Sequence, residues 1–359
     1  MNRRKILIIG LMAIVGLLVL YLLLWPVPIS PAAWTPPKAP ALTGVYQANS
    51  QLAAAQRLGK GSCKGPEDVA IDTEGRIYSG MIDGRILRLD PDGGQAEVFT
   101  NTGGVPLGLC FDRTGNLVVA DCIKGLISVD PNGSVTILST EQSGIPFGVT
   151  DDLDIAADGT IYFSDASLKF RPEQDLLELM EHRGNGRLLA YDPNTKVTRL
   201  VMKYLYYANG VAVSPDQSFV LVAETGKYRV QRYWLAGPRQ GQSEIFIDNL
   251  PGFPDGITSN RKDTFWLAIV SPRSPSLDAL LPRPFMRKIV MRLPKFMTPE
   301  EINYGFILGL DADGHVVHNL QGPPGTYTQI TNVVEHNGML YLGSLVEDAI
   351  GRLPVPQLP

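Results

Sequence analysis

One unit returns six times between Gly65 and the C-terminus, and it constrains the fold more than any other feature of the chain. An apolar run meets a tight turn rich in Asp, Asn and Gly, and a second apolar run follows. In the first copy Gly65-Pro66-Glu67-Asp68-Val69-Ala70-Ile71 turns at Glu74-Gly75 and returns as Ile77-Tyr78-Ser79-Gly80. In the third, Asp152-Leu153-Asp154-Ile155 turns at Asp158-Gly159 and returns as Ile161-Tyr162-Phe163-Ser164-Asp165. Further copies start near residues 106, 209, 254 and 330. Alternation at period two across a tight turn reads as a hairpin. Most copies add a third run, such as Gly84-Arg85-Ile86-Leu87-Arg88-Leu89, and often a fourth. Six four-stranded units, stretched by insertions, predict an all-β chain folded as a six-bladed β-propeller over residues 45–359. Stacked sandwiches would not repeat a four-strand unit six times. The 36 glycines and 28 prolines supply the turns, and 359 residues is within the range of a single propeller.

The N-terminus is of another kind. Arg3, Arg4 and Lys5 precede an uncharged apolar run over residues 6–25, long enough to cross a bilayer. The run exceeds a signal peptide's apolar region and ends in Leu24-Trp25-Pro26 without a small-residue cleavage site. It predicts an uncleaved single-pass anchor over residues 1–25, with a cleaved signal peptide as the competing reading. The basic flank sets the N-terminus in the cytoplasm and the propeller on the periplasmic, lumenal or extracellular side. Residues 26–44, rich in proline, predict an extended linker. Net charge is −4 with no polybasic stripe, so nucleic-acid binding is set aside. Cys63, Cys110 and Cys122 lack metal-site spacing, and one bridge or none is open. Two insertions, residues 168–184 and 271–299, both follow the second strand of a blade and so project from one face, as lids or plain insertions. The second mixes Phe285 and Met286 with Arg283, Arg287 and Lys288, a composition suited to lipid contact or to a lid.

In a propeller the start of each innermost strand gathers at one mouth of the central channel. Glu67, Asp151, Asn209 and Asp255 occupy that register in four copies. Three carboxylates and an amide oxygen are hard ligands, suited to Ca²⁺. The four histidines have neither i, i+4 spacing nor C-x-x-C company, which disfavours a softer metal. A G-x-S-x-G elbow is absent, as is a Walker or Rossmann glycine pattern in a strand-to-helix setting.

Gly65-Pro66-Glu67-Asp68, Pro106-Leu107-Gly108-Leu109, Asp151-Asp152-Leu153-Asp154-Ile155, Asn209-Gly210-Val211-Ala212 and Leu250-Pro251-Gly252-Phe253-Pro254-Asp255, in that order, resemble the strictosidine synthase-like family. That family includes the adipocyte plasma membrane-associated proteins and is related to the paraoxonases and the gluconolactonase/regucalcin group. The resemblance implies a six-bladed propeller and, by its hydrolytic cousins, a channel Ca²⁺ held at Glu67, Asp151, Asn209 and Asp255. The family commonly has Asn where Asp151 stands. Two departures bear on activity. The Glu that strictosidine synthase uses for its condensation corresponds to Thr331, and a His used by paraoxonases corresponds to Leu107.

The chemistry left is Ca²⁺-dependent hydrolysis of small, apolar esters or lactones, with Asp255 or Asp152 drawing a proton from the attacking water. The alternative is a non-catalytic propeller whose Ca²⁺ is structural and whose mouth binds a partner. Strictosidine-type condensation ranks last because Thr331 cannot act as an acid or base.

Overall fold

A computed structural model of the protein describes residues 3–298 and 302–357; Pro299 of the second insertion and the last two residues of the propeller span lie outside them. Six four-stranded antiparallel sheets follow one another along the chain, with an additional two-stranded hairpin, Glu141–Gln142 with Ile145–Pro146, between the second and third. Their innermost strands are Pro66–Ile71, Pro106–Phe111, Thr150–Ile155, Ala208–Val213, Gly252–Ser259 and Ile330–His336. Each contacts the next in order and the sixth returns to the first, which closes a six-bladed ring.

The hairpin turns explain why the chain doubles back where it does. Asp72 Oδ1 accepts the amides of Glu74 and Arg76, both at 2.9 Å. Asp112, Asp130 and Asp311 repeat the arrangement at their own turns. Short acidic side chains that bond their own backbone favour such turns, and the following glycine supplies a positive φ, +81° at Gly75.

Packing follows from position within the blade. The second strand of blade 2, Leu117–Asp121, is buried throughout because neighbours cover both its faces, so it reads as a continuous apolar run rather than an alternating one. Its fourth strand, Val135–Ser139, is largely exposed. The core therefore lies between blades: Tyr78 and Ile86 of blade 1 pack against Leu117, Val119 and Ile127 of blade 2. Side chains of this kind each contribute about 1.5–3 kcal/mol on full burial.

Ring closure uses a strand that the repeat does not contain. Gln56–Leu58 pairs with Ile350–Pro354 as the outermost strand of blade 6, with Gln56 opposite Arg352 and Leu58 opposite Ile350. Arg57 and Glu347 add an ion pair at 3.1 Å. The last blade is thus completed from the N-terminal side of the first.

Helix α1, Arg3–Leu24, is apolar and exposed along its length, and is long enough to cross a membrane. The extended segment after it lies on the propeller rather than free of it. Ile29 is buried, and Val27, Trp34 and Leu42 pack against the same core. The first insertion forms α2, Asp175–Glu181; the second forms α3, Pro275–Leu280, and α4, Pro284–Val290. Arg287 of α4 is fully buried and donates to the carbonyl of Met180 at 2.7 Å and to that of Ala32. It ties the proline-rich segment, α2 and α4 into one lid, so this member of the basic group does not face solvent or lipid.

Candidate metal centre and pocket

In every blade the pairing of the innermost strand with the second strand slips in register near its start. The slips lie between Pro66 and Val69, Pro106 and Gly108, Thr150 and Leu153, Ala208 and Val211, Pro254 and Ile257, and Ile330 and Val333. A bulge at that point re-aims the side chains it contains. The residues so placed are Glu67, Leu107, Asp151, Asn209, Asp255 and Thr331, and all six line one cavity of about 10 Å³. That is room for about one water-sized sphere.

The next residue around the ring is Asp68, Gly108, Asp152, Gly210, Gly256 or Asn332, and this set is structural. Asp68 accepts the amides of Val69 and, across the blade boundary, Leu109, both at 2.6 Å. Asp152 accepts Leu153 at 2.7 Å and Val211 at 2.8 Å. Asn332 accepts the Val333 amide and donates to Asp68. Glycines fill the other three positions because nothing larger fits against the next blade: a Cβ on Gly210 would lie 2.3 Å from the Ile257 nitrogen, and one on Gly256 would lie 2.5 Å from the Thr331 oxygen. Close blade-to-blade contact at this level sets the first-named residues around one cavity.

Five carboxylates, those of Glu67, Asp68, Asp151, Asp152 and Asp255, line the cavity, and no cationic side chain does. Burial pushes the Glu67 carboxyl well above its ordinary range, and the charges of Asp255, Asp151, Asp68 and Asp152 add to the shift. Burial, with Asp165 adding, pushes Asp151 up to about 7. Asp152 is raised chiefly by burial and then by Asp68. Buried charge is retained in proteins when it is paired or binds a metal. Glu67, Asp151, Asn209 and Asp255 offer oxygen only, around an ion-sized space, and so fit a hard divalent cation such as Ca²⁺. The carboxylates of Glu67, Asp151 and Asp255 do not all bring an oxygen within 4.8 Å of one another. Among the described residues the trio that does is Asp311, Asp313 and His315, in a largely exposed hairpin turn.

A second, larger cavity of about 150 Å³ opens above the first. Asn209 and Asp255 belong to both. Leu176 and Leu179 of α2, Leu277 of α3, Phe253 and Val270 form apolar walls, so the two insertions act as the lid over the channel. Tyr207 also lines this space; its phenol is raised by burial and by the nearby Asp151, and stays protonated at neutral pH. Tyr207 has φ +57°, an uncommon conformation for a bulky residue, just before the innermost strand of blade 4.

The four ligands expected from the repeat register thus share one cavity. Asp152, expected as an alternative proton acceptor, has each carboxylate oxygen on a backbone amide. Asp68, Asn332 and Tyr207 are site residues that the repeat alone does not single out; the signal for the first two is that every blade has an acid, an amide or a glycine at one register. The cysteines are unpaired thiols, and burial pushes Cys63 up to about 11.

Comparison with known proteins places this geometry. A profile described as Strictosidine synthase matches residues 151–238, and one described as Strictosidine synthase-like, N-terminal, matches residues 44–89. The adipocyte plasma membrane-associated protein of Bos taurus is 32% identical over 351 residues, covering 91% of this chain and 84% of that protein. The strictosidine synthase-like 4 protein of Arabidopsis thaliana is 34% identical over 315 residues, covering 86% and 84%. Among solved structures, a gluconolactonase from Xanthomonas campestris superposes with a TM-score of 0.61 at 19% identity, covering 93% of this chain and 99% of that one. The calcium-binding regucalcin of Agrobacterium tumefaciens gives 0.60 at 16%, covering 84% and 93%. The two structures share the propeller; the two sequence relatives match over most of the chain's length, and the chain belongs to the strictosidine synthase-like family.

Proposed function

We propose that the protein is a membrane-anchored hydrolase of small, apolar esters or lactones that requires Ca²⁺ at Glu67, Asp151, Asn209 and Asp255. The observation that carries this reading is the shared wall: Asn209 and Asp255 face both the ion-sized cavity and the apolar space under the lid. When bound, Ca²⁺ supplies Lewis-acid polarisation of a carbonyl and charge to balance the carboxylates. The chain's own residues do the rest. The leucines of α2 and α3 exclude water from the substrate space, whose 150 Å³ suits a small molecule. Asp255 takes the proton of the attacking water, and Asp152 holds the innermost strands of blades 3 and 4 in place. The neutral Tyr207 phenol donates to the oxygen on which charge develops.

Helix α1 fixes the propeller to the membrane, with Arg3, Arg4 and Lys5 on the cytoplasmic side and the propeller across it. The relatives named for plasma-membrane association support the anchor.

The test is an ester and lactone panel on full-length protein, with and without chelator, beside Asp255→Asn. Turnover that falls by roughly 10²-fold or more in both cases supports the reading. Turnover indifferent to both overturns it. A large loss of thermal stability on chelation with no turnover on any substrate establishes instead the propeller with a structural ion. Strictosidine-type condensation has little support, because Thr331 spends its hydroxyl on the Glu67 carbonyl.

A further inference from the structure

The two ends of the propeller differ in what they show to solvent. At the lid end, the loops joining second to third strands expose Ile82, Ile123, Leu168, Leu345 and Val346 from blades 1, 2, 3 and 6. Blade 5 adds Phe285 and Met286 of α4, and beyond them Phe296, 79% exposed. At the opposite end the hairpin turns, such as residues 72–76, 130–134 and 311–315, are built mostly of polar residues and glycine; among the described residues none of these turns exposes a large apolar side chain. The other exposed apolar side chains outside α1 lie mostly on outermost strands, Ile137 and Leu200 for example. One end is therefore polar and the other carries apolar side chains on five of six blades, far more than the scatter of a soluble surface.

The same end holds α1. Arg292, just after α4, donates to the carbonyls of Leu22 at 2.8 Å and Trp25 at 2.6 Å, and its own carbonyl accepts the Tyr21 hydroxyl. A helix crossing a bilayer therefore emerges against the lid, with no slack to carry the propeller away. Lysines stand among the exposed apolar side chains: Lys64 beside Ile82, Lys124 after Ile123, Lys203 beside Tyr204. Of the acids on these loops, Asp83 and Glu347 are taken up by Arg85 at 2.9 Å and Arg57 at 3.1 Å, while Glu173 and Asp348 are exposed. Exposed apolar side chains with lysines among them suit the headgroup boundary of a bilayer.

We infer that the lid end of the propeller docks on the bilayer that α1 spans, setting the exposed loop side chains into the headgroup layer so that the covered cavity opens toward lipid. This rests on the reading of α1 as a membrane span and is independent of catalysis. Full-length protein is placed in nanodiscs of phosphatidylcholine with a minor share of phosphatidylserine. Nitroxide labels are attached to single added cysteines: Ile82→Cys, Leu168→Cys and Val346→Cys at the lid end, Thr114→Cys at the opposite end and Val15→Cys within α1. The parent chain, treated alike, gives the background of the native thiols. Collision of each label with oxygen and with a water-soluble nickel chelate reports depth. The expected result is a several-fold lower chelate-to-oxygen collision ratio at all three lid-end positions than at Thr114. Ratios equal to that at Thr114 with Val15 in lipid overturn the docking and leave the span. A water-exposed Val15 overturns both.

Discussion

At Gly210 the ring leaves no room for a methyl group. A Cβ there would sit 2.3 Å from the Ile257 nitrogen and 2.5 Å from the Asp255 oxygen, both backbone atoms that move only with their strand. Gly210→Ala is therefore expected to cost about 2–3 kcal/mol in chemical denaturation. A cost below about 0.5 kcal/mol would mean that the blades are not packed as described. At this scale the sequence was readable where a repeat aligned it: Glu67, Asp151, Asn209 and Asp255 share a register that needs only the order of strands to be seen. Asp152 shows the limit. Its neighbours in sequence do not reveal that the Val211 amide, 59 positions on, occupies one of its oxygens. Cross-blade hydrogen bonds are a property of the closed ring, and they divide Asp151 from Asp152 although the two are adjacent, equally buried and chemically identical.

The lid is the element whose behaviour depends most on charge. Glu178 of α2 is buried and accepts hydrogen bonds from the Ser167 hydroxyl and from the Asn185 amide at 3.0 Å, yet burial pushes its carboxyl up to about 7. Between the ordinary value of 4.5 and about 7, the folded chain holds a proton that the unfolded chain has released. Stability is thus expected to fall as pH rises through that window, by on the order of 3 kcal/mol in all. Glu178→Gln removes the term. Thermal unfolding of the variant from about pH 5 to 8 is expected to show a flatter slope than the parent; an unchanged slope would contradict the burial of Glu178. His182, next to α2, acts with the opposite sign. It stacks on Trp34 with ring centroids 4.4 Å apart, and burial lowers it to about 3, so its contribution is lost as pH falls below about 6.5. The insertions and their common face were legible from their place after second strands. The packing of the proline-rich segment onto them was not, because the buried Arg287 that fastens it reads in sequence as one of several surface cations.

For the whole molecule, the six-fold repeat fixed the number of blades, since strands and turns of this spacing leave few other ways to bury their apolar faces. The closing strand Gln56–Leu58 escaped the pattern because three residues carry too little periodicity to be seen; only the open edge of Ile350–Pro354 calls for it. The proposed activity depends on the ring bringing Glu67, Asp151, Asn209 and Asp255 to one cation. Calorimetric titration of metal-stripped full-length protein with Ca²⁺ tests that most directly. One ion per chain, with binding weakened at least tenfold in Glu67→Gln and again in Asp255→Asn while the fold is kept, is the predicted result. Calcium affinity unchanged in both variants, or no binding by a folded parent chain, would contradict it.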